Sequence, residues 1–128
     1  MKNLFLIICF ILIFSCSQKP EEISTKVKGD SLETQMIEAY NAGVVALEQG
    51  DVLYATKKFN EAELLFPQSE WAPKAALMAS YAYWSQAYYK NSVEELKRFI
   101  KLYPKYENLD YAYYLLAMNY YDSIIDEK

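Results

Sequence analysis

The residues that could do chemistry are few. The 128-residue chain has no histidine, and its two cysteines are Cys9 and Cys16. Without an imidazole it lacks the usual general base and cannot build a Ser-His-Asp arrangement. Two thiols without histidine also leave a Cys/His zinc site short of ligands. The carboxylates do not make up the difference. Glu61 and Glu63 are two apart, so they cannot face each other on a helix, and no other carboxylate pair is placed by the pattern into a pocket. The reading is therefore of a non-enzyme with no metal and no cofactor. The residue in excess is tyrosine, with thirteen copies, eleven of them from Tyr81 to Tyr121. Tyr and Trp offer large contact area with few rotatable bonds and a polar tip, which is the chemistry of recognition. A formal net charge of −4 makes nucleic acid a poor partner, because phosphate contacts need a basic face.

The thiol of Cys16 is the one group placed for a covalent event. Lys2 gives a positive start, and Leu4 to Phe14 is an unbroken apolar run. A bilayer-spanning helix needs about 20 apolar residues, so this run suits the core of a secretory signal instead. Cys9 is then simply an apolar member of the run. Ile13-Phe14-Ser15-Cys16 resembles the bacterial lipobox. The resemblance implies that residues 1–15 are a signal peptide cleaved before Cys16, whose thiol and new amino group are acylated (palmitate). Several acyl chains hold a protein to a membrane stably where one does so marginally. Ser17, where an Asp would favour retention in the inner membrane, implies an outer-membrane anchor with the protein facing the periplasm. Residues 16–31 are polar and read as a lipidated flexible tether. The residues after the cleavage point suffice for one small domain.

From Leu32 onward the elements that must position the tyrosines are helices. Apolar residues recur at helical spacing, and Gly and Pro are confined to punctuation. A shift of about 37 residues superimposes the chain on itself. Phe66-Pro67 falls on Tyr103-Pro104, Phe59 on Leu96 and Ala55 on Ser92. Gly43, Ser80 and Ala117 coincide, as do Tyr40, Leu77 and Tyr114. Periods of 20–50 residues indicate solenoids. The unit is a helical hairpin. In the first copy a helix over 33–49 stops at Gly50, Asp51 caps a second helix over 52–65, and Pro67 closes the unit. Asn41, Gly43, Gly50, Asp51, Ala55, Phe59, Ala62 and Pro67 resemble the tetratricopeptide repeat. The second copy matches at Ser80, Ser92, Leu96 and Pro104, while Ala87 replaces the turn glycine and Phe99 a small residue. Ser92 and Glu95 spell a capping box that would start a helix at Val93, but the repeat register starts it near Tyr89 and outweighs that single match. The expected fold is all-α, a tetratricopeptide-like solenoid of about two and a half repeats over 32–69, 70–106 and 107–128. The third unit holds one helix, over 109–125. That helix is apolar on more than one side, which reads as a fragment of a longer array.

Tyr81-Ala82-Tyr83-Trp84, the run Arg98 to Pro104, and Leu109 to Tyr114 carry a narrower resemblance. With the lipobox and the 37-residue units, they resemble the BamD family of lipoproteins of the outer-membrane β-barrel assembly complex, here over Cys16 to Lys128, about the N-terminal half of that family. The resemblance implies a scaffold that holds the barrel-shaped insertase subunit and other assembly lipoproteins and receives unfolded outer-membrane β-barrel proteins by their C-terminal strand. The insertase contacts would lie largely in later repeats and substrate reception in these. A different periplasmic tetratricopeptide adaptor lipoprotein, coordinating envelope constriction or peptidoglycan synthesis, shares the anchor and the repeat. The concave positions of such arrays transfer to Tyr40, Asn41 and Val44, to Leu77, Met78, Tyr81 and Trp84, and to Tyr111, Tyr114, Met118 and Tyr121. These form the candidate peptide-binding groove, with inter-repeat core as the competing role for each residue. Among charges, Glu94 is spaced to pair with Arg98 at i,i+4, and Lys97, Arg98 and Lys101 read as a basic, mostly solvated cluster.

Overall fold

The computed structural model describes residues 23–126. The signal peptide, the lipobox and Cys16 lie outside the described residues. Five helices follow in order: α1 (Ile23–Glu48), α2 (Val52–Leu65), α3 (Trp71–Ser85), α4 (Tyr89–Leu102) and α5 (Leu109–Asp126), with no strand among the described residues. Each helix packs on the next, and α3 also touches α5. The chain is thus a right-through stack of helical hairpins, as the repeat pattern requires.

The helix ends follow from local chemistry. The α1–α2 turn has Gly50 at φ +79°, the left-handed region that glycine enters without steric cost. The Gly50 N–H donates to the Leu47 carbonyl (3.0 Å) and the Asp51 N–H to the Ala46 carbonyl (2.9 Å), which satisfies two end carbonyls of α1 in a Schellman closure. Asp51 then accepts from the Tyr54 N–H at 3.1 Å and caps α2. Ser69 does related work before α3, accepting from the Ala72 N–H at 3.2 Å. Helix α4 begins at Tyr89, so the register prevails over the capping box. Ser92 lies inside the helix, fully buried, and its hydroxyl donates to the Ser80 carbonyl at 2.8 Å.

One boundary differs from expectation. Helix α1 begins at Ile23, so it takes up 23–31 of the stretch read as a tether. Between Pro20 and Leu32 the strongest opposition to helix is Gly29, at about 1 kcal/mol, with smaller costs from Ser24, Thr25, Val27, Asp30 and Ser31. Once 32–48 is fixed by packing, extending a formed helix backward avoids a second nucleation cost.

The core is layered between the hairpins. Met36, Ala39, Ala62 and Ala75 form one cluster, and Ala46, Ala55, Phe59, Ala79 and Ala82 another. A third joins Ala76, Leu77, Leu96, Phe99, Ala112 and Leu115. Alanines dominate because they let helix axes approach closely, while Phe59 and Phe99, both fully buried, fill the space left. Burying each ring contributes about 2–3 kcal/mol. Gly43 marks the tightest approach: a Cβ there would stand 2.8 Å from the Phe59 ring.

A buried ionic link ties the hairpins together. Glu63 of α2 is 6% exposed and receives both terminal nitrogens of Arg98 from α4, at 2.8 and 2.7 Å. It also accepts from the Tyr103 hydroxyl at 2.7 Å. The remaining Arg98 nitrogen, Nε, bonds Glu95 at 2.8 Å. This corrects the expected Glu94–Arg98 pair and removes Arg98 from the solvated basic cluster. A planar guanidinium satisfies a buried carboxylate with two parallel bonds, and that outweighs an exposed i,i+4 contact.

Candidate functional site

Helices α1, α3 and α5 present one face to a shared open cleft of about 600 Å³. Tyr40 comes from α1, Lys74, Leu77, Met78 and Tyr81 from α3, Tyr106 and Asn108 from the α4–α5 loop, and Tyr111 from α5. Residues 74, 77, 78 and 81 form one stripe because positions three, four and seven apart share a helix face. Tyr40 is wedged edge-on between Phe59 (centroids 5.4 Å apart) and Trp71 (5.3 Å), so its ring is held while its edge borders the cleft. Tyr106 is fixed the same way, edge-on to the buried Phe99 at 5.7 Å.

Two phenols of the cleft, those of Tyr40 and Tyr111, hold their protons above the usual tyrosine range. Burial pushes the Tyr40 hydroxyl above the usual tyrosine range, and the nearby Tyr106 adds to the shift. Burial does the same for Tyr111, reinforced by Tyr81 and Tyr114. The cleft wall therefore offers neutral O–H donors set among apolar ring faces, suited to peptide carbonyls and apolar or aromatic side chains.

Of the residues chosen from sequence, Tyr40, Leu77, Met78, Tyr81 and Tyr111 come together in this cleft. Leu77 is also 8% exposed and part of the third core cluster. The structure places the others elsewhere. Trp84 packs on the third cluster and donates from Nε1 to Asp122 at 2.9 Å, a bond that fastens α3 to α5. Val44 packs on the second cluster. Asn41 is exposed and Met118 half-buried, outside the cleft. Tyr114 and Tyr121 are exposed on α5, Tyr114 against the Tyr111 ring at 6.2 Å. Sequence reasoning missed Lys74, Tyr106 and Asn108. Lys74 carried a usable signal, since it stands one turn before Leu77 and Met78. Tyr106 and Asn108 lie in a loop that the helical register does not position.

A second cavity, of about 670 Å³ between α4 and α5, is bordered by Lys90, Glu94, Lys97 and Asp126. It carries charges of both signs and none of the groove residues. Among the described residues, no group of three acidic or thiol side chains could hold a metal ion. No helix of the described part is long and apolar enough to cross a membrane.

Comparison with known proteins places this architecture. The family model YfiO, described as outer membrane lipoprotein, matches residues 32–128. The chain belongs to this family. Its relatives include proteins named outer membrane protein assembly factor BamD. That of Caulobacter vibrioides is 36% identical over 87 residues, covering 68% of this chain and 28% of the relative. The Rickettsia prowazekii protein is also 36% identical over 87 residues, covering 68% and 35%. That of Xylella fastidiosa (strain Temecula1) is 24% identical over 114 residues, covering 89% and 37%. The chain thus spans about a third of the length of the relatives it matches. No solved structure matches it.

Proposed function

We propose that this chain is an outer-membrane lipoprotein scaffold of the β-barrel assembly complex, anchored through acylated Cys16 and facing the periplasm, whose cleft receives unfolded barrel proteins. The family membership supports the assembly role, and the cleft carries the binding reading. Half-buried Tyr40, Tyr81, Tyr106 and Met78, with the exposed Tyr111 beside them, offer a surface for an extended chain. Barrel proteins end in strands with alternating aromatic side chains, which match ring faces spaced along α3 and α5. The reading assigns the cleft to binding and gives it no catalytic step. The insertase subunit and other assembly lipoproteins are the expected partners.

The test is direct binding. Tyr81→Ala combined with Tyr111→Ala should weaken binding of a barrel C-terminal peptide about tenfold or more, as expected for losing two interface tyrosines. Unchanged affinity in a folded variant would remove the groove reading. Co-purification from detergent-solubilised membranes should recover the β-barrel insertase. Separately, Cys16→Ser should release the protein from the membrane fraction, and retention after a carbonate wash would refute the lipid anchor.

A further inference from the structure

The cleft has a chemical direction. Lys74 is the charged residue on its wall, at one end of the 74/77/78/81 stripe, with Tyr81 at the other. Its ammonium lies 4.7 Å from the centroid of the Trp71 ring and makes no ion pair among the described residues. The aromatic face positions the cation without neutralising it. Lys74 and Tyr106 also border an adjoining polar cavity of about 320 Å³, shared with Glu70, Lys105 and Glu107. Glu70 and Glu107 do not line the aromatic cleft. Their charge discourages an anion from the polar cavity and favours it on the cleft side of Lys74. The first turn of α3, where Lys74 follows Trp71, adds the positive end of the helix dipole.

Spacing narrows the anion. One turn of helix, about 5.4 Å, separates Lys74 from the apolar wall of Leu77 and Met78. A chain-terminal aromatic residue carries a carboxylate and a ring on the same Cα, at a comparable separation. An internal Asp or Glu brings its carboxylate without a ring on the same residue. We infer that Lys74 takes the free α-carboxylate of an extended peptide ending in an aromatic residue. It thereby fixes the peptide's direction, with the carboxyl terminus at the Trp71 end of α3 and the preceding side chains running toward Tyr81. This rests on the peptide-binding reading above.

A fluorescein-labelled ten-residue alternating aromatic peptide ending in Phe, made as the free acid and as the C-terminal amide, tests it by anisotropy against the full chain. The wild type should bind the acid about tenfold more tightly than the amide, as expected for one charge-assisted contact at a partly exposed site. Lys74→Met keeps the apolar stem, and should erase the preference for the acid over the amide. Lys74→Arg should keep the preference. Raising salt should narrow the gap between acid and amide in the wild type and in Lys74→Arg. Equal binding of acid and amide by the wild type, or a preference that survives in Lys74→Met, overturns the assignment while leaving the groove intact. If neither peptide binds, the groove reading itself falls, and this assignment with it.

Discussion

The two complete hairpins share one backbone and differ in almost every residue that shapes it. Helix α2 runs 52–65 and α4 runs 89–102, a shift of 37 at both ends. Their preceding turns close with the same pair of bonds. In the first, Gly50 and Asp51 donate to the Leu47 and Ala46 carbonyls; in the second, Ala87 and Tyr88 donate to those of Trp84 and Tyr83. Yet the first turn has glycine and a capping aspartate, while the second has alanine at φ +62° and no side-chain cap. At the helix crossing, Gly43 and Ala55 with Phe59 in the first hairpin become Ser80 and Ser92 with Leu96 in the second, all buried. The repeat is thus a geometry that each copy reaches with its own residues. The second hairpin meets it with less local help, and Glu63 adds an ionic link to the packing that joins it to the first.

That joint carries the largest expected effect. Arg98→Met leaves the Glu63 carboxylate buried with Tyr103 as its remaining partner. Breaking a fully buried ion pair costs about 3–5 kcal/mol. Arg98 keeps 37% of its side-chain surface in water, so about 2–3 kcal/mol is the discounted expectation. A urea titration of the full chain should show the loss. Adding Glu63→Met should recover part of it, because no unpaired charge then remains. A double variant no better than the single one would show that the loss comes from the missing Arg98 packing and not from an unpaired buried charge.

Exchanging the crossing residues sharpens the comparison next. Gly43→Ser forces atoms into the Phe59 ring and should cost about 2 kcal/mol, the usual range for overpacking. Gly43→Ser with Phe59→Leu rebuilds the Ser80–Leu96 combination of the second hairpin and should recover at least half of that loss. If the two changes simply add, the copies do not share a crossing geometry.

Alkaline titration probes the same joint more gently. Burial, the bond to Glu63 and the Glu63 charge hold the Tyr103 proton well above the ordinary tyrosine range, against a smaller opposing effect of Arg98. A raised folded-state pKa gives stability that is fully present below the unfolded value, about 10, and is lost as pH rises above it. Tyr103→Phe should cost about 1 kcal/mol at neutral pH and flatten the decline above pH 10. An unchanged alkaline slope would shift the cause to another tyrosine. Tyr89, which donates to Asp126 and is raised to about 12, is the next to examine.

How much of this was legible follows from the range of each signal. The bounds of α2 and α4 were readable because Gly50, Asp51 and the 37-residue register act within a few positions or repeat. The start of α1 was not, since Ile23–Ser31 is held helical by continuity with a packed helix rather than by its own composition. The partner of Arg98 was illegible because Glu63 lies 35 residues away, and its burial appears only once α2 and α4 are side by side. The cleft was half legible. Register located Leu77, Met78 and Tyr81 on one face, but it could not say that Trp84 turns to Asp122 or that the loop brings in Tyr106 and Asn108.

The turns provide the smallest and cleanest test, because inverse substitutions in the two copies should shift stability in opposite directions. Both sites are left-handed, and both are exposed, so packing contributes little. A Cβ at Gly50 would meet nothing within 4 Å, which leaves backbone strain as the whole penalty for Gly50→Ala. Placing an L-residue with a Cβ in this region costs about 1–2 kcal/mol, offset in part by the greater freedom glycine loses on folding. Gly50→Ala should therefore destabilise by about 1 kcal/mol, and Ala87→Gly should stabilise by about the same, read as opposite shifts in urea midpoint with unchanged slope. The double exchange should leave stability near that of the wild type, because the sites are a full hairpin apart and independent changes add. If Ala87→Gly gains nothing, the second turn would owe its geometry to the bonds from Ala87 and Tyr88 to the end of α3 in a way that has already absorbed the strain, and the two turns would be alike in shape alone.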